Sequence, residues 1–252
     1  MQGTAGKLQA MRSRRPRLAQ RLREGVHLED GCTMAKATLT ISSKNYSSWS
    51  LRGWLLARFA GLDFSEHVLP PDDPGVKAEI LLLAPSILVP RLRHDKVDVW
   101  DTLAIAEYLH EIKPKAGLLP ADRAARAHCR AVCGEMHSGF SSLRSALPMN
   151  LKGSFPGYKV WSRAQSDIER VVEIWSDCLK RYGGPWLFGE HRTMADAMYA
   201  PVVTRLKTYD VRISDRACIE YCLRVMSMPE MQEWIAAAKT EPESMEELEV
   251  EF

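Results

Sequence analysis

The sequence predicts an α/β domain built on a small mixed sheet, followed by an all-helical domain. Three observations point that way. Strand and helix signals alternate between Met34 and Ile112. Pro114, Gly117 and Pro120 then punctuate a linker over residues 113–121, and beyond Asp122 strand signals nearly vanish.

Each element has a local reason. Thr38 to Ser42 alternates polar and apolar residues, as a half-buried strand does, and Leu51, Leu55, Leu56 and Phe59 recur at helical spacing from Ser48 up to Gly61. Phe64 to Leu69 reads as a second strand before the Pro70 to Gly75 loop, and a short helix is expected around Val76 to Leu83. Val89 to Arg93 and Val97 to Trp100 form two strands joined tightly at His94-Asp95-Lys96, after which Asp101-Thr102 opens a helix over Leu103 to Glu111. The order is β-α-β-α-β-β-α over residues 34–112. In residues 122–240, helical patterns cover Arg123 to Ser142, Ser162 to Tyr182, Thr193 to Lys207, Asp215 to Met226 and Pro229 to Lys239, separated by Gly and Pro breaks. Thr193-Met194-Ala195-Asp196 is a capping box with Asp in place of the usual Glu or Gln, and Pro201 inside the following helix removes a hydrogen bond or kinks it.

Composition narrows the function. The 252 residues are 46% hydrophobic and 26% charged, an ordinary globular balance. No apolar run approaches the roughly 18 residues that span a bilayer, and the N-terminus lacks a secretory apolar core. A soluble cytoplasmic protein without a membrane role is expected. Residues 1–33 carry a net charge of +4, which leaves −2 for the rest of a chain whose formal charge is +2. That basic stretch has neither interleaved aromatics nor a reading module, so no nucleic-acid partner is expected. It reads as a disordered leader or a start-site artefact ahead of Met34, and the acidic residues of 241–252 read as a solvated tail.

Six cysteines are scattered at Cys32, Cys129, Cys133, Cys178, Cys218 and Cys222, which suits free thiols rather than a disulfide framework. Cys129, Cys133 and His137 fall four residues apart, as do Cys218 and Cys222, so each set shares a helix face. Structural zinc sites more often use short spacers in paired loops, and free cysteine is a small buried hydrophobe, so core packing and no metal are expected.

Asn45-Tyr46-Ser47-Ser48-Trp49-Ser50-Leu51-Arg52 places hydroxyls at the start of the first helix. Unpaired N–H groups and the helix dipole favour an anion there, so a thiolate beside a seryl O–H would be stabilised. The same serines also suit plain helix capping. Arg52, one turn in, reads as structural.

Leu88-Val89-Pro90-Arg91-Leu92, the run from Asp101 to Leu109, and Phe188 to Asp196, which contains Gly-x-x-x-Thr-x-Ala-Asp, occur in order and at suitable distances. With them the chain resembles the cytosolic glutathione S-transferases over roughly Lys36 to Glu233. The first-helix motif is similar to that of the zeta class, Ser-Ser-Cys-Ser-Trp-Arg-Val-Arg, with Trp49 and Leu51 standing where that class has Cys and Trp. The resemblance implies a thioredoxin-like N-terminal domain, glutathione as co-substrate, no metal cofactor, and a cytoplasmic homodimer with a detoxifying activity. It implies that Ser47, on which the first serine of that motif falls, activates the glutathione thiol, with Ser48 and Tyr46 as the alternatives. It further implies that Val89 pairs its backbone with glutathione before a cis Pro90, and that Asp101 and Thr102 take the γ-glutamyl ammonium and carboxylate. Conjugation to a small electrophile, a cis-trans isomerase of the maleylacetoacetate type and a non-catalytic glutathione-binding module are all compatible. An isomerase acting on a diacid would want cations over its pocket, for which Arg144, Lys152 and Lys159 are available.

Overall fold

Burial alternates along Ala37–Ile41 (β1), with Ala37, Leu39 and Ile41 pointing inward, and this strand is central to the sheet. The computed structural model describes residues 37–70, 74–75 and 89–242 of the chain. β1 pairs in parallel with Ser65–Val68 (β2) and antiparallel with Arg91–His94 (β3), which pairs antiparallel with Val97–Trp100 (β4). The strand order is β2-β1-β3-β4. A parallel neighbour needs a crossover, and Ser48–Phe59 (α1) supplies it, burying Leu51, Trp54, Leu55 and Leu56. The loop between β3 and β4 is tight because Asp95 takes a left-handed φ of 53°, a conformation that Asp tolerates better than most residues.

Thr102–Ile112 (α2) buries Ile105, Ala106 and Leu109, as expected of a helix on a sheet. A 3₁₀ turn at Pro114–Ala116 follows, then Arg123–Ser138 (α3), Ser141–Ala146 (α4), Ser162–Tyr182 (α5), Met194–Thr208 (α6), Arg216–Ser227 (α7) and Pro229–Thr240 (α8). α6 is buried on nearly every side and packs on α1, α3 and α7, so it holds the sheet and the helices in one core. Its capping box forms: Asp196 Oδ2 accepts from Thr193 N at 2.7 Å, and Oδ1 accepts from Leu187 N at 3.2 Å. The helix runs on through Pro201.

The single helix expected over Arg123 to Ser142 is two. It breaks at Gly139, where a Cβ would lie 2.7 Å from Glu135 O, and Phe140 then turns the chain with φ 57°. Asp167 of α5 accepts from Leu143 N at 2.9 Å, satisfying one of the amides that the new helix start exposes. The helix expected near Val76 to Leu83, Cys32, the leader and residues 243–252 lie outside the described residues. No helix among the described residues is long and apolar enough to cross a membrane.

The first helix and the Val89-Pro90 corner meet at Gly53. The Val89–Pro90 peptide is cis, and a Cβ on Gly53 would lie 2.4 Å from Pro90 Cβ and 2.7 Å from Pro90 Cγ. Only a residue without a side chain lets the corner sit on α1. Gly53→Ala is therefore expected to lower stability by about 1–3 kcal/mol through overpacking, despite the better helix propensity of Ala. Urea denaturation checks it; an unchanged or higher midpoint would mean that the corner is free to move.

Candidate functional site

The turn from β1 into α1 is buried, so each of its polar groups needs a protein partner. Ser42 N donates to Ser50 Oγ at 3.0 Å. Ser43 Oγ accepts from Asn45 N and Tyr46 N, each at 3.2 Å, and donates to Glu241 Oε2 at 2.7 Å. Asn45 reaches the other domain: its Oδ1 accepts from Leu151 N at 2.7 Å and Lys152 N at 2.9 Å, and its Nδ2 donates to Asn150 Oδ1 at 3.1 Å. Glu241 departs from the expected solvated tail, because its carboxylate also accepts from Lys44 N at 2.5 Å and Asn45 N at 3.1 Å. An acidic side chain this close to three donors on one turn binds them rather than water.

Ser47 and Ser48, adjacent in sequence, are used differently. Ser47 is the N-cap of α1: its Oγ accepts from Ser50 N at 3.2 Å and donates to Ser50 Oγ at 2.9 Å. Ser48 Oγ accepts from Arg52 Nη1 at 3.3 Å. That bond leaves the Ser48 hydroxyl proton without an acceptor among the described residues, at the helix start where N–H groups converge. Tyr46, the third candidate, is buried, only 5% exposed.

Arg52 itself is fully buried. Its Nε donates to Met198 O at 2.7 Å, its guanidinium lies 4.5 Å from the Trp49 ring centroid, and its Nη2 has no partner among the described residues. Arg144 reaches the same ring at 5.5 Å, and its buried Nε is likewise unpartnered. Burial, reinforced by the charges of Arg205 and Arg144, holds the Arg52 guanidinium well below its ordinary pKa. Arg205, also buried, is lowered to about 9 by burial and by Arg144, and it bonds Leu147 O at 2.8 Å and Pro201 O at 3.0 Å.

The second half of the site lies at the start of α2. Asp101 has φ 73° and ψ 136°, a strained region for a residue with a Cβ. Its Oδ1 caps Leu103 N at 2.8 Å and Ala104 N at 3.3 Å, and its Oδ2 meets His137 Nε2 of α3 at 2.5 Å. Burial acts to raise this carboxyl's pKa, but the His137 hydrogen bond and charge, with the two amides, outweigh it and hold the group below the usual carboxylate range. Thr102 is 1% exposed, and its Oγ1 has no partner among the described residues. A buried hydroxyl in that state is costly unless something else bonds it. Val89 and Pro90 are buried beside the cis peptide at the entry to β3. Trp49 joins the two halves, since its ring lies 5.1 Å from that of His137.

Cys129 and Cys133 are buried on α3 as core residues, and Cys178 and Cys218 are buried as well. A different group, His128, Asp177 and Cys178, brings its ligand atoms within 4.8 Å of one another. Burial pushes the Cys178 thiol up to about 12, which opposes the thiolate a metal would need, and His128 Nδ1 is already shared with Tyr182 OH at 2.8 Å. Of the three expected cations, Arg144 lies against Trp49; Lys152 is exposed and its Nζ bonds Glu241 O, and Lys159 is exposed. Arg52, His137, Asn150 and Glu241 are the site residues that sequence reasoning missed. The only signal was the Cys129, Cys133 and His137 spacing, which marks the face of α3 but not its partner.

Known proteins resemble the chain over both of its domains. Residues 46–112 match the family model for the glutathione S-transferase N-terminal domain, and residues 158–237 match that for the C-terminal domain, together more than half of the chain. A maleylacetoacetate isomerase from Rattus norvegicus is 29% identical over 69% of this chain and 80% of its own length. Glutathione S-transferase 1 from Dianthus caryophyllus is 27% identical over 66% of this chain and 76% of its own. The crystal structure of a Burkholderia glutathione transferase homolog with bound glutathione superposes with a TM-score of 0.58 at 24% identity, covering 81% of this chain and 97% of that one.

The Asp101–His137 contact gives a direct test. With the imidazole removed, the carboxyl loses its largest support against burial, so His137→Ala is expected to raise the Asp101 pKa. Side-chain carbon-13 NMR reads it; an unchanged titration would mean that the α2 amides alone hold the charge.

Proposed function

Because the chain belongs to the glutathione S-transferase family, we propose that it binds glutathione at the starts of α1 and α2 and activates its thiol with the hydroxyl of Ser48. The observation that carries this reading is the pair of hydroxyls whose capacity the protein leaves unused: the Ser48 proton and the buried Thr102 Oγ1. Thr102 would donate to the γ-glutamyl carboxylate, which the α2 dipole also favours. Asp101, ionised and strained into place, would receive the ammonium. Val89 would present its backbone to the cysteinyl unit as an edge strand does. Ser47, engaged in capping, would hold the helix start rather than the sulfur.

The energies suffice. Lowering a thiol pKa from about 8.5 by two units needs roughly 2.7 kcal/mol of preference for the thiolate. One hydrogen bond to a charged group supplies about 1.5–3 kcal/mol, and a helix N-terminus about 0.3–1 kcal/mol. No general base is required. Ser48 donates and never attacks, and its hydrogen bond strengthens as negative charge develops on sulfur.

A second reading is favoured by one observation. Arg144 presents an unpaired, buried Nε beside Trp49, where it could hold a carboxylate of a cis-alkene diacid, and the similarity to maleylacetoacetate isomerases supports that substrate class. Parallel assays of aryl-halide conjugation and of maleyl-type isomerisation separate the two. Glutathione affinity without turnover of any electrophile would instead make the chain a binding module. A cytoplasmic homodimer belongs to the same reading, supported by family membership.

Two substitutions test it. Ser48→Ala is expected to raise the apparent pKa of bound glutathione and slow conjugation at least tenfold, whereas Ser47→Ala should cost about 0.5–2 kcal/mol of stability as a lost cap and leave that pKa in place. The reverse pattern in pH–rate profiles would transfer the role to Ser47. Thr102→Val removes a hydroxyl that the unliganded protein leaves unbonded, so stability should hold or rise while glutathione affinity falls about tenfold or more, as expected for a lost bond to a charged group. Equal affinity by titration calorimetry would remove Thr102 from the site.

A further inference from the structure

We propose that Arg52 is a positioning residue for the thiol chemistry: its buried guanidinium turns the Ser48 hydroxyl outward and supplies the positive charge that a thiolate at the amino end of α1 neutralises. This rests on the reading of Ser48 given above and adds a residue that neither the sequence motif nor the family comparison assigns to the reaction.

Geometry carries it. A guanidinium has only donors, so the Arg52 Nη1 bond at 3.3 Å occupies a lone pair of Ser48 Oγ and orients the hydroxyl proton away from Arg52. The cation is then held without a counter-charge. Arg52 takes part in no ion pair among the described residues, its other bonds being to the Met198 carbonyl and the Trp49 face, and Nη2 is left bare. A fully buried charge in that position is unfavourable unless an anion completes it.

The surroundings deepen the imbalance. From α6, Arg205 and Tyr199 face Arg52; from α4, Arg144; from α3, Cys133. Arg205 and Arg144 repel the guanidinium, while Tyr199 and Cys133 would attract it only if ionised, and burial drives both of their pKa values up. The nearby carboxylates are committed elsewhere: Asp167 to Leu143 N and the field of Arg144, and Asp101 to His137 across Trp49. An anion arriving beside Ser48 meets net positive charge in a medium of low dielectric, where such attraction is strong. The thiol proton passes to water, Arg52 stays protonated, and no bond to sulfur forms or breaks at the guanidinium.

The test compares glutathione with S-methylglutathione, which keeps every contact except the ionisable thiol. In the wild-type protein, ultraviolet titration of the thiolate and calorimetry with both ligands set the baseline; if neither ligand binds, the proposed function itself fails, independently of Arg52. Given binding, Arg52→Met is expected to raise the bound thiol pKa by at least one unit and to weaken glutathione at neutral pH at least fivefold, with S-methylglutathione affinity kept within twofold. Arg52→Lys should recover at least half of the pKa shift. An unchanged thiol pKa in a folded Arg52→Met protein, or equal loss of both ligands, would overturn the proposal and leave Arg52 as scaffolding. Should Arg52→Met not fold, nitrogen-15 NMR of the wild-type arginine side chains decides: the guanidinium resonance absent from the Arg52→Lys spectrum should move with the thiol titration under glutathione and stay still under S-methylglutathione. No movement under glutathione overturns the proposal as well.

Discussion

The amino end of α1 is buried, and that burial governs the rest of the molecule. A helix start exposes N–H groups that water ordinarily satisfies. Here Ser42, Ser47 and Ser50 are almost fully covered, so the turn must be bonded by protein. The partners come from far along the chain: Asn45 from Asn150, Leu151 and Lys152, the 43–45 amides and hydroxyl from Glu241, and Lys44 O from Trp234 Nε1 at 2.8 Å. The helical domain is thus the solvent of this turn. The β1–α1 turn keeps these bonds only when α8 and the loop after α4 are in place, and the described residues from Ala37 onward accordingly belong to one compact unit.

This arrangement explains which parts of the molecule could be read from the sequence. The start of α1 at Ser48 and the whole of α5 follow from local caps and apolar spacing, and β1 and β4 follow from alternation, so all four could be placed from neighbours in the chain. Ser47, Ser48 and Thr102 could be nominated because hydroxyls at helix starts have a local logic. Glu241, His137 and Asn150 could not. Each acts on a residue between 36 and 198 positions away, and nothing within its own segment distinguishes it from a surface acid, a helix-face histidine or a loop amide. The break at Gly139 escaped for a related reason: the apolar spacing continues across it, while the separation of α3 from α4 is set by the left-handed turn at Phe140 and by Asp167 of another helix.

The electrostatics have a similar origin. Arg52 looks unremarkable in sequence, one turn into a helix where Arg is a good helix former. It becomes unusual only when α6 and α4 bring Arg205 and Arg144 toward it, while the carboxylate of Asp167 acts on Arg144 instead. Such a cluster contributes little to stability and costs free energy wherever its charges stay uncompensated. Perturbed ionisable groups of this kind gather at functional sites, where a ligand completes them. The strained backbone of Asp101 and the orphaned Thr102 hydroxyl make the same argument at the other end of the site.

Trp49 ties these ends together. One indole contacts Arg52 at 4.5 Å, Arg144 at 5.5 Å and His137 at 5.1 Å, and His137 in turn holds Asp101. A ring carrying negative charge on its face attracts both guanidinium groups without neutralising them, so their positive field stays available to an anion. A carboxylate at this position would quench that field, and a small residue would leave the two arginines to repel each other across a gap. The large aromatic side chain that separates this helix start from the zeta-type pattern is therefore a physical answer to the arginines around it, holding two like charges close on one ring.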